Sequence, residues 1–139
     1  MKYVAELMVK DLYTLKRNDS LKDVRKLMEL AKIRHVPVVD SEQNFIGLIS
    51  NRDLLACTIS KLADINDSVQ NEIDAEIRVD DVMRVDLVCA EPEMLLKDAA
   101  EILYRYKYGC LPVLEGKKLV GIITEADFLR LAIILLNEQ

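Results

Sequence analysis

Two stretches decide the fold: Ile33-Arg34-His35-Val36-Pro37-Val38-Val39-Asp40, and Phe45-Ile46-Gly47-Leu48-Ile49-Ser50-Asn51-Arg52-Asp53. They return as Tyr108-Gly109-Cys110-Leu111-Pro112-Val113-Leu114-Glu115 and Leu119-Val120-Gly121-Ile122-Ile123-Thr124-Glu125-Ala126-Asp127, offset by 75 and then 74 residues. One residue is lost between the blocks, where Ser41-Glu42-Gln43 faces only Gly116-Lys117. An internal repeat is read first, because one unit seldom buries its apolar face alone.

Working outward, each copy runs in the same order. A short extended stretch comes first, Leu12 to Leu15 and Leu87 to Ala90. A helix follows: Leu21, Val24, Leu27, Met28 and Ala31 recur every three or four residues, as do Leu96, Ala99, Ala100, Ile102, Leu103 and Tyr106. Ser20 stands where it can cap the first of these helices. Two strands come next, Val36 to Val39 and Phe45 to Ile49, apolar without alternation and so covered on both faces. The polar links Asp40 to Asn44 and Glu115 to Lys118 read as hairpin turns. Pro37 and Pro112 serve structure, at a strand's start or edge where a missing N–H is tolerated. Gly47 and Gly121 mark close backbone approach, to packing or to ligand.

A last helix begins near Ser50 and near Thr124. The second copy of it carries Phe128, Leu129, Leu131, Ala132, Ile133, Ile134, Leu135 and Leu136, apolar nearly all round, so one face should meet something beyond its own unit. Tyr104, Tyr106 and Tyr108, on a helix, spread over different faces and fit helix-edge packing better than an aromatic stack for RNA bases. The expected organisation is a first unit at 1–63, an acidic, partly helical connector at 64–81 (Ile65, Val69, Ile73 and Ile77 recur every four residues), and a second unit at 82–139.

Composition narrows the function. The chain has 139 residues, is 51% hydrophobic and lacks Trp, so its core is aliphatic. A net charge of −5 and a pI near 5.0 count against sequence-independent binding to nucleic acid or anionic lipid. Cys57, Cys89 and Cys110 form no C-x-x-C, which fits a reduced compartment, and buried filling suits Cys89 and Cys110 better than redox sensing. With His35 the sole histidine, no metal cluster is expected. No signal-like start is seen, and the longest apolar run, Leu131 to Leu136, falls far short of the roughly 20 residues that span a bilayer. A cytoplasmic location is expected.

Ser50-Asn51-Arg52-Asp53 and Thr124-Glu125-Ala126-Asp127 carry the candidate chemistry. A hydroxyl at a helix N-cap with a carboxylate three residues on approximates a capping box, which alone explains the pattern. The same geometry suits an anionic phosphate beside free N–H groups, with the carboxylate accepting from a ribose diol.

The ordered set of marks, Leu7-Met8 and Val82-Met83, the two h-P-V-h strands, then Gly47 to Asp53 and Gly121 to Asp127, resembles the CBS domain (cystathionine β-synthase) in its tandem arrangement, the Bateman module. The resemblance covers about Glu6 to Leu131. It implies an α/β (α+β) fold of two pseudo-symmetric units, each a small three-stranded sheet with two packed helices. It also implies a regulatory module that binds an adenosine-containing ligand, AMP, ADP, ATP or S-adenosylmethionine, in clefts between the units, and signals to a separate effector protein by a population shift. Carried over, cleft A would combine Met8, Asp11, Leu12, Tyr13, Ile33, Arg34, His35, Pro37, Ile122, Thr124 and Asp127. Cleft B would combine Met83, Asp86, Leu87, Val88, Tyr108, Gly109, Cys110, Pro112, Leu48, Ser50, Arg52 and Asp53. Leu12, Tyr13, Leu87 and Val88 would flank the base, with backbone beside Pro37 and Pro112 reading its edge. Arg34-His35, which has no basic counterpart, would offset phosphate charge and makes cleft A the first choice for a phosphorylated ligand; Arg52 keeps cleft B in contention.

No resident cofactor is implied, the nucleotide itself being the ligand, with or without Mg. No nucleophile with a histidine base, paired carboxylates or metal spacing points to catalysis, so an enzyme is not expected. The family's disc-like pairing implies a homodimer through the helices, and no membrane partner. The alternative reading is a structural dimerisation or interaction module with vestigial clefts; RNA or DNA binding ranks behind it on charge.

Overall fold

The computed structural model describes residues 1–57 and 67–139, and its elements follow the repeat. In chain order they are α1 (Val4–Leu7), β1 (Leu15–Lys16), α2 (Leu21–Ala31), β2 (His35–Val39), β3 (Phe45–Ser50), α3 (Asn51–Cys57), α4 (Asp67–Glu76), a 3-10 turn (Val79–Asp81), α5 (Leu96–Tyr106), β4 (Cys110–Glu115), β5 (Lys118–Thr124) and α6 (Glu125–Asn137). The part of the expected connector at 64–66, Ile65 included, lies outside the described residues; the rest of it is α4 and the 3-10 turn.

The chain divides into two compact units, but not at the repeat boundary. One unit is Met1–Leu12 with Val88–Gln139, and the other is Tyr13–Leu87. The boundaries expected at 63 and 82 separate the copies in sequence, whereas compactness joins each copy's leader to the other copy's hairpin. The reason is hydrogen bonding. Val9 exchanges backbone bonds with Ile122 at 2.8 and 3.0 Å, and Arg84 does so with Leu48 at 2.9 and 2.8 Å. The N–H of Val4 reaches Met94 O, and that of Leu96 reaches Lys2 O; their counterparts run from Val79 to Asp19 and from Leu21 to Ile77. Short leaders with unpaired backbone groups are satisfied only by the other copy's β strand and helix start.

In the unit Tyr13–Leu87, a three-stranded sheet has the order β1-β2-β3, with β1 parallel to β2 (Leu15 against Val38) and β2 antiparallel to β3. The hairpin between them is held by Asp40, whose carboxylate accepts from the N–H groups of Glu42 and Asn44 at 2.8 and 2.9 Å while Gln43 takes a positive φ of 66°. In the unit Met1–Leu12 plus Val88–Gln139 only β4 and β5 form a sheet; the expected third strand shrinks to a single parallel bridge, Ala90 to Val113. Two residues after Ala90 stands Pro92, which has no N–H to give to the next rung of the ladder. Extension therefore stops one residue earlier than at Leu15-Lys16.

β2 is the middle strand, so Pro37 does not stand at a strand's start or edge as expected. It faces Leu48, whose N–H and C=O both turn away toward Arg84. Pro37 thus sits in a non-hydrogen-bonded pair, and its nitrogen points to the β1 side, where pairing starts only at Val38. Pro112, opposite Ile122, repeats the arrangement in β4.

Each unit has its own aliphatic core. Leu21, Val24, Val36, Val38, Ile49 and Val79 fill one; Val4, Ala99, Leu111, Val113 and Ile123 fill the other, all of them sealed from solvent. Helix α2 starts at Ser20, which completes a capping box with Asp23, as its position in the sequence promised. Both α2 and α5 end on a lysine in the left-handed region, Lys32 and Lys107, each at φ 55°. The rings of Tyr106 and Tyr108 stack at 5.7 Å and 13°. For Tyr106 and Tyr108 the expected spread over different faces of one helix does not hold, since the helix ends at Tyr106 and the left-handed Lys107 precedes Tyr108.

Candidate functional site

The two repeated [ST]-x-x-D motifs are full capping boxes. The carboxylate of Asp53 accepts from Ser50 N–H (2.8 Å) and Ser50 Oγ–H (2.9 Å), and Ser50 Oγ accepts from Asp53 N–H (3.3 Å). Thr124 and Asp127 repeat this at 2.8, 3.1 and 3.3 Å. In both boxes one oxygen, Oδ2, makes every capping bond, which leaves Oδ1 for another partner. Each box is stabilised by roughly 0.5–2 kcal/mol.

What takes Oδ1 differs. Asp53 Oδ1 pairs with Arg84 Nε at 3.3 Å, and Asp127 Oδ1 pairs with Arg130 Nη1 at 3.2 Å, one turn along its own helix. Arg84 is more than half exposed, so its pair contributes at most about 1 kcal/mol. The matching position to Arg84 is Val9, and that to Arg130 is Ala56.

The glycines of the motif are explained by packing. A Cβ on Gly47 would overlap Met83 Sδ and lie 3.2 Å from Arg84 O; one on Gly121 would overlap Met8 Sδ and lie 3.2 Å from Val9 O. The methionine of each leader therefore covers the glycine of the other copy's hairpin. Met8, Met83, Gly47 and Gly121 form one recurring contact, so Met8 and Met83 have a packing role whatever else they do.

Strand register sets the remaining candidates. His35 lies opposite Ser50, and Arg34 C=O accepts from Asn51 N–H at 2.8 Å, so Arg34, His35, Leu48, Ser50, Arg52 and Asp53 share one unit with Met83 and Arg84. Cys110 lies opposite Thr124, and Gly109 C=O accepts from Glu125 N–H at 3.1 Å. Of the first expected set, Met8, Asp11, Leu12, Ile122, Thr124 and Asp127 fall in one unit, while Tyr13, Ile33, Arg34, His35 and Pro37 fall in the other. Of the second, Leu48, Ser50, Arg52, Asp53, Met83, Asp86 and Leu87 fall together, apart from Val88, Tyr108, Gly109, Cys110 and Pro112. The chain crosses from one unit to the other between Leu12 and Tyr13 and returns between Leu87 and Val88, the same place in both copies.

Two features escaped the sequence reading. Arg84 was passed over because a basic residue in a leader has no periodicity to mark it. Asp74, sealed from solvent, accepts from Arg25 Nε and from Gln70 Nε2 (2.9 Å), tying α4 to α2. Only the Gln70–Asp74 spacing of four residues hinted at it. Among the described residues no cluster of His, Cys, Asp and Glu could hold a metal ion, and no helix is long and apolar enough to cross a membrane. Burial pushes the Cys110 thiol up to about 12, with smaller contributions from Cys89 and Glu125, and burial also raises Cys89. Both shifts disfavour the thiolate. A depression lined by Tyr3, Ala5, Glu6, Pro92 and Glu93 includes none of the candidate residues.

The comparisons agree with this architecture. The CBS domain matches residues 4–59 and again 79–133. The chain is 31% identical over 131 residues to an inosine-5'-monophosphate dehydrogenase of Methanocaldococcus jannaschii, covering 94% of this chain and only 23% of that enzyme. In structure it resembles AcuB of Vibrio cholerae (TM-score 0.82, 37% identity, 99% of this chain and 94% of that one). It also resembles CBSX2 in complex with AMP (TM-score 0.79, 28% identity, 97% and 98%). The duplicated leader, hairpin and capping box, matched twice over most of the sequence, place this chain in the CBS-domain family as a CBS pair.

Proposed function

We propose that the chain is a regulatory module that binds an adenosine nucleotide through the Ser50/Asp53 and Thr124/Asp127 motifs and passes the bound state to a separate protein. The observation that carries this reading is a likeness along nearly the whole chain to CBSX2, solved with AMP. Both carboxylates keep Oδ1 clear of the capping bonds, so a ribose hydroxyl could replace the arginine there without unmaking the helix start. Ligand would act by favouring one of two arrangements, to the extent that it binds them unequally. No reaction is assigned to the chain; the dehydrogenase it resembles is about four times its length, and that activity stays with that enzyme.

A thermal-shift series with AMP, ADP, ATP and S-adenosylmethionine tests the reading. Ligand at 100 times its Kd should stabilise the protein by about 2.7 kcal/mol. Melting curves unmoved by any of the four, and silent Asp53→Ala and Asp127→Ala variants, would leave only a scaffold.

Self-association through α6 is part of the proposal. Leu129, Ile133 and Leu136 form an outward stripe at 64%, 53% and 64% exposure, opposite Phe128 and Leu131, which pack on the core. A cytoplasmic location also remains a proposal.

A further inference from the structure

We infer that Arg84 makes the Ser50/Asp53 motif selective for phosphorylated adenosine. The inference rests on the nucleotide-binding reading and adds a residue that decides between ligands at one of its two motifs. Arg84 is held in place at its backbone, where N–H and C=O both bond Leu48 two residues before Ser50. Its side chain is not held. Only Nε is engaged, at 3.3 Å from Asp53 Oδ1, and the two Nη groups meet no acceptor among the described residues. A guanidinium fixed at its root, loosely paired through one nitrogen and 58% exposed, has a free fork for a phosphate.

Leaving Asp53 unsettles little, because Ser50 N–H and Oγ–H continue to satisfy Oδ2. A ribose hydroxyl could then take Oδ1 as Arg84 turns to the phosphate. Two further cations belong to this unit: Arg34 adjoins Asn51 through its carbonyl, and Arg52 is in the first turn of α3; His35 lies opposite Ser50. At matched positions the other copy has Gly109, Cys110, Ala126 and Val9, so no cation stands where Arg84 does. Arg130 pairs with Asp127 from a different place, one turn into α6. The Thr124/Asp127 motif therefore lacks this means of telling AMP from adenosine.

Calorimetric titration with AMP and with adenosine tests this in Asp127→Ala, which leaves Ser50/Asp53 as the intact motif, with and without Arg84→Gln. Loss of one charge-assisted bond should weaken AMP about tenfold and leave adenosine within about twofold. The salt dependence of AMP binding should flatten, and Arg84→Lys should recover part of the loss. Unchanged AMP affinity in Arg84→Gln would overturn the inference. So would equal weakening of AMP and adenosine, which would mean that Arg84 only positions Asp53. Asp127→Ala that no longer binds AMP, while the unaltered protein does, overturns it too. An unaltered protein that binds neither compound removes the nucleotide reading itself.

Discussion

A methyl group added at Gly47 has nowhere to go except into Met83 or the carbonyl of Arg84. Gly47→Ala should therefore cost about 1–3 kcal/mol, read as a lowered denaturation midpoint. If the thioether is the obstacle, Gly47→Ala combined with Met83→Ala should cost less than the sum of the two single changes. Purely additive costs would remove that explanation. Cys110 makes a second prediction at this scale. Its thiol, raised to about 12 chiefly by burial, stays protonated in the fold while the unfolded thiol ionises near 9. Stability from this group is complete below pH 9 and is lost as pH climbs from about 9 toward 12. A Cys110→Ala variant should flatten that alkaline decline, and Cys110 should resist alkylation in the native protein at pH 8. The lowered pKa of Asp40, caused first by the Asn44 N–H, has the opposite sign: its contribution is lost as pH falls through the acid range.

At the scale of elements, α4 is tied to α2 by a buried charge, while along the apolar stripe Val69 lies at the surface and Ile77, just beyond the helix, packs against the core. Asp74→Ala removes the acceptor shared by Arg25 and Gln70 and should cost about 3 kcal/mol, measured by urea unfolding, near the low end for breaking a buried pair because Arg25 retains some access to water. The acidic look of this segment concealed the point, since one of its carboxylates faces inward. Helix α6 shows the reverse case: that it is apolar nearly all round was legible from hydrophobicity alone, and the fold decides that Leu129, Ile133 and Leu136 face outward. Ile133→Glu should lower the association state seen by sedimentation without lowering the melting temperature of the monomer. A single species, the same for both proteins, would show that α6 meets no second copy.

For the whole molecule, the repeat implies two binding motifs and the side chains imply that they differ. Asp53→Asn and Asp127→Asn should each keep part of the capping box, and each should abolish the stabilisation by AMP contributed by its own motif. The sum of the two partial losses, measured by thermal shift, should match the double variant. A single carboxylate that carries all of the effect would mean one working motif. The expected choice of the Thr124/Asp127 motif for a phosphorylated ligand rested on Arg34 and His35; register sets these two in the same unit as Ser50.

By itself the sequence determined the repeated helices, the hairpins, the capping boxes and the family, because these follow from local periodicity, turn chemistry and a motif present twice. Helix α1, the 3-10 turn and the loss of the strand expected at Leu87 to Ala90 were not legible. Helix α2, Ser20 as its cap, and both [ST]-x-x-D helix starts are properties of short segments whose partners lie within a few residues. Which copy's leader completes which hairpin leaves no mark on the local pattern; only the resemblance, which groups Met8 with Ile122 and Met83 with Leu48, implied it, and the tertiary structure supplies the reason. Val9 could satisfy its backbone against any exposed strand edge, and it is tertiary packing, with Met8 over Gly121, that selects Ile122. The same holds for Arg84 beside Asp53 and Asp74 beneath Arg25: charges 31 and 49 residues apart leave no mark on local pattern until the fold brings them together.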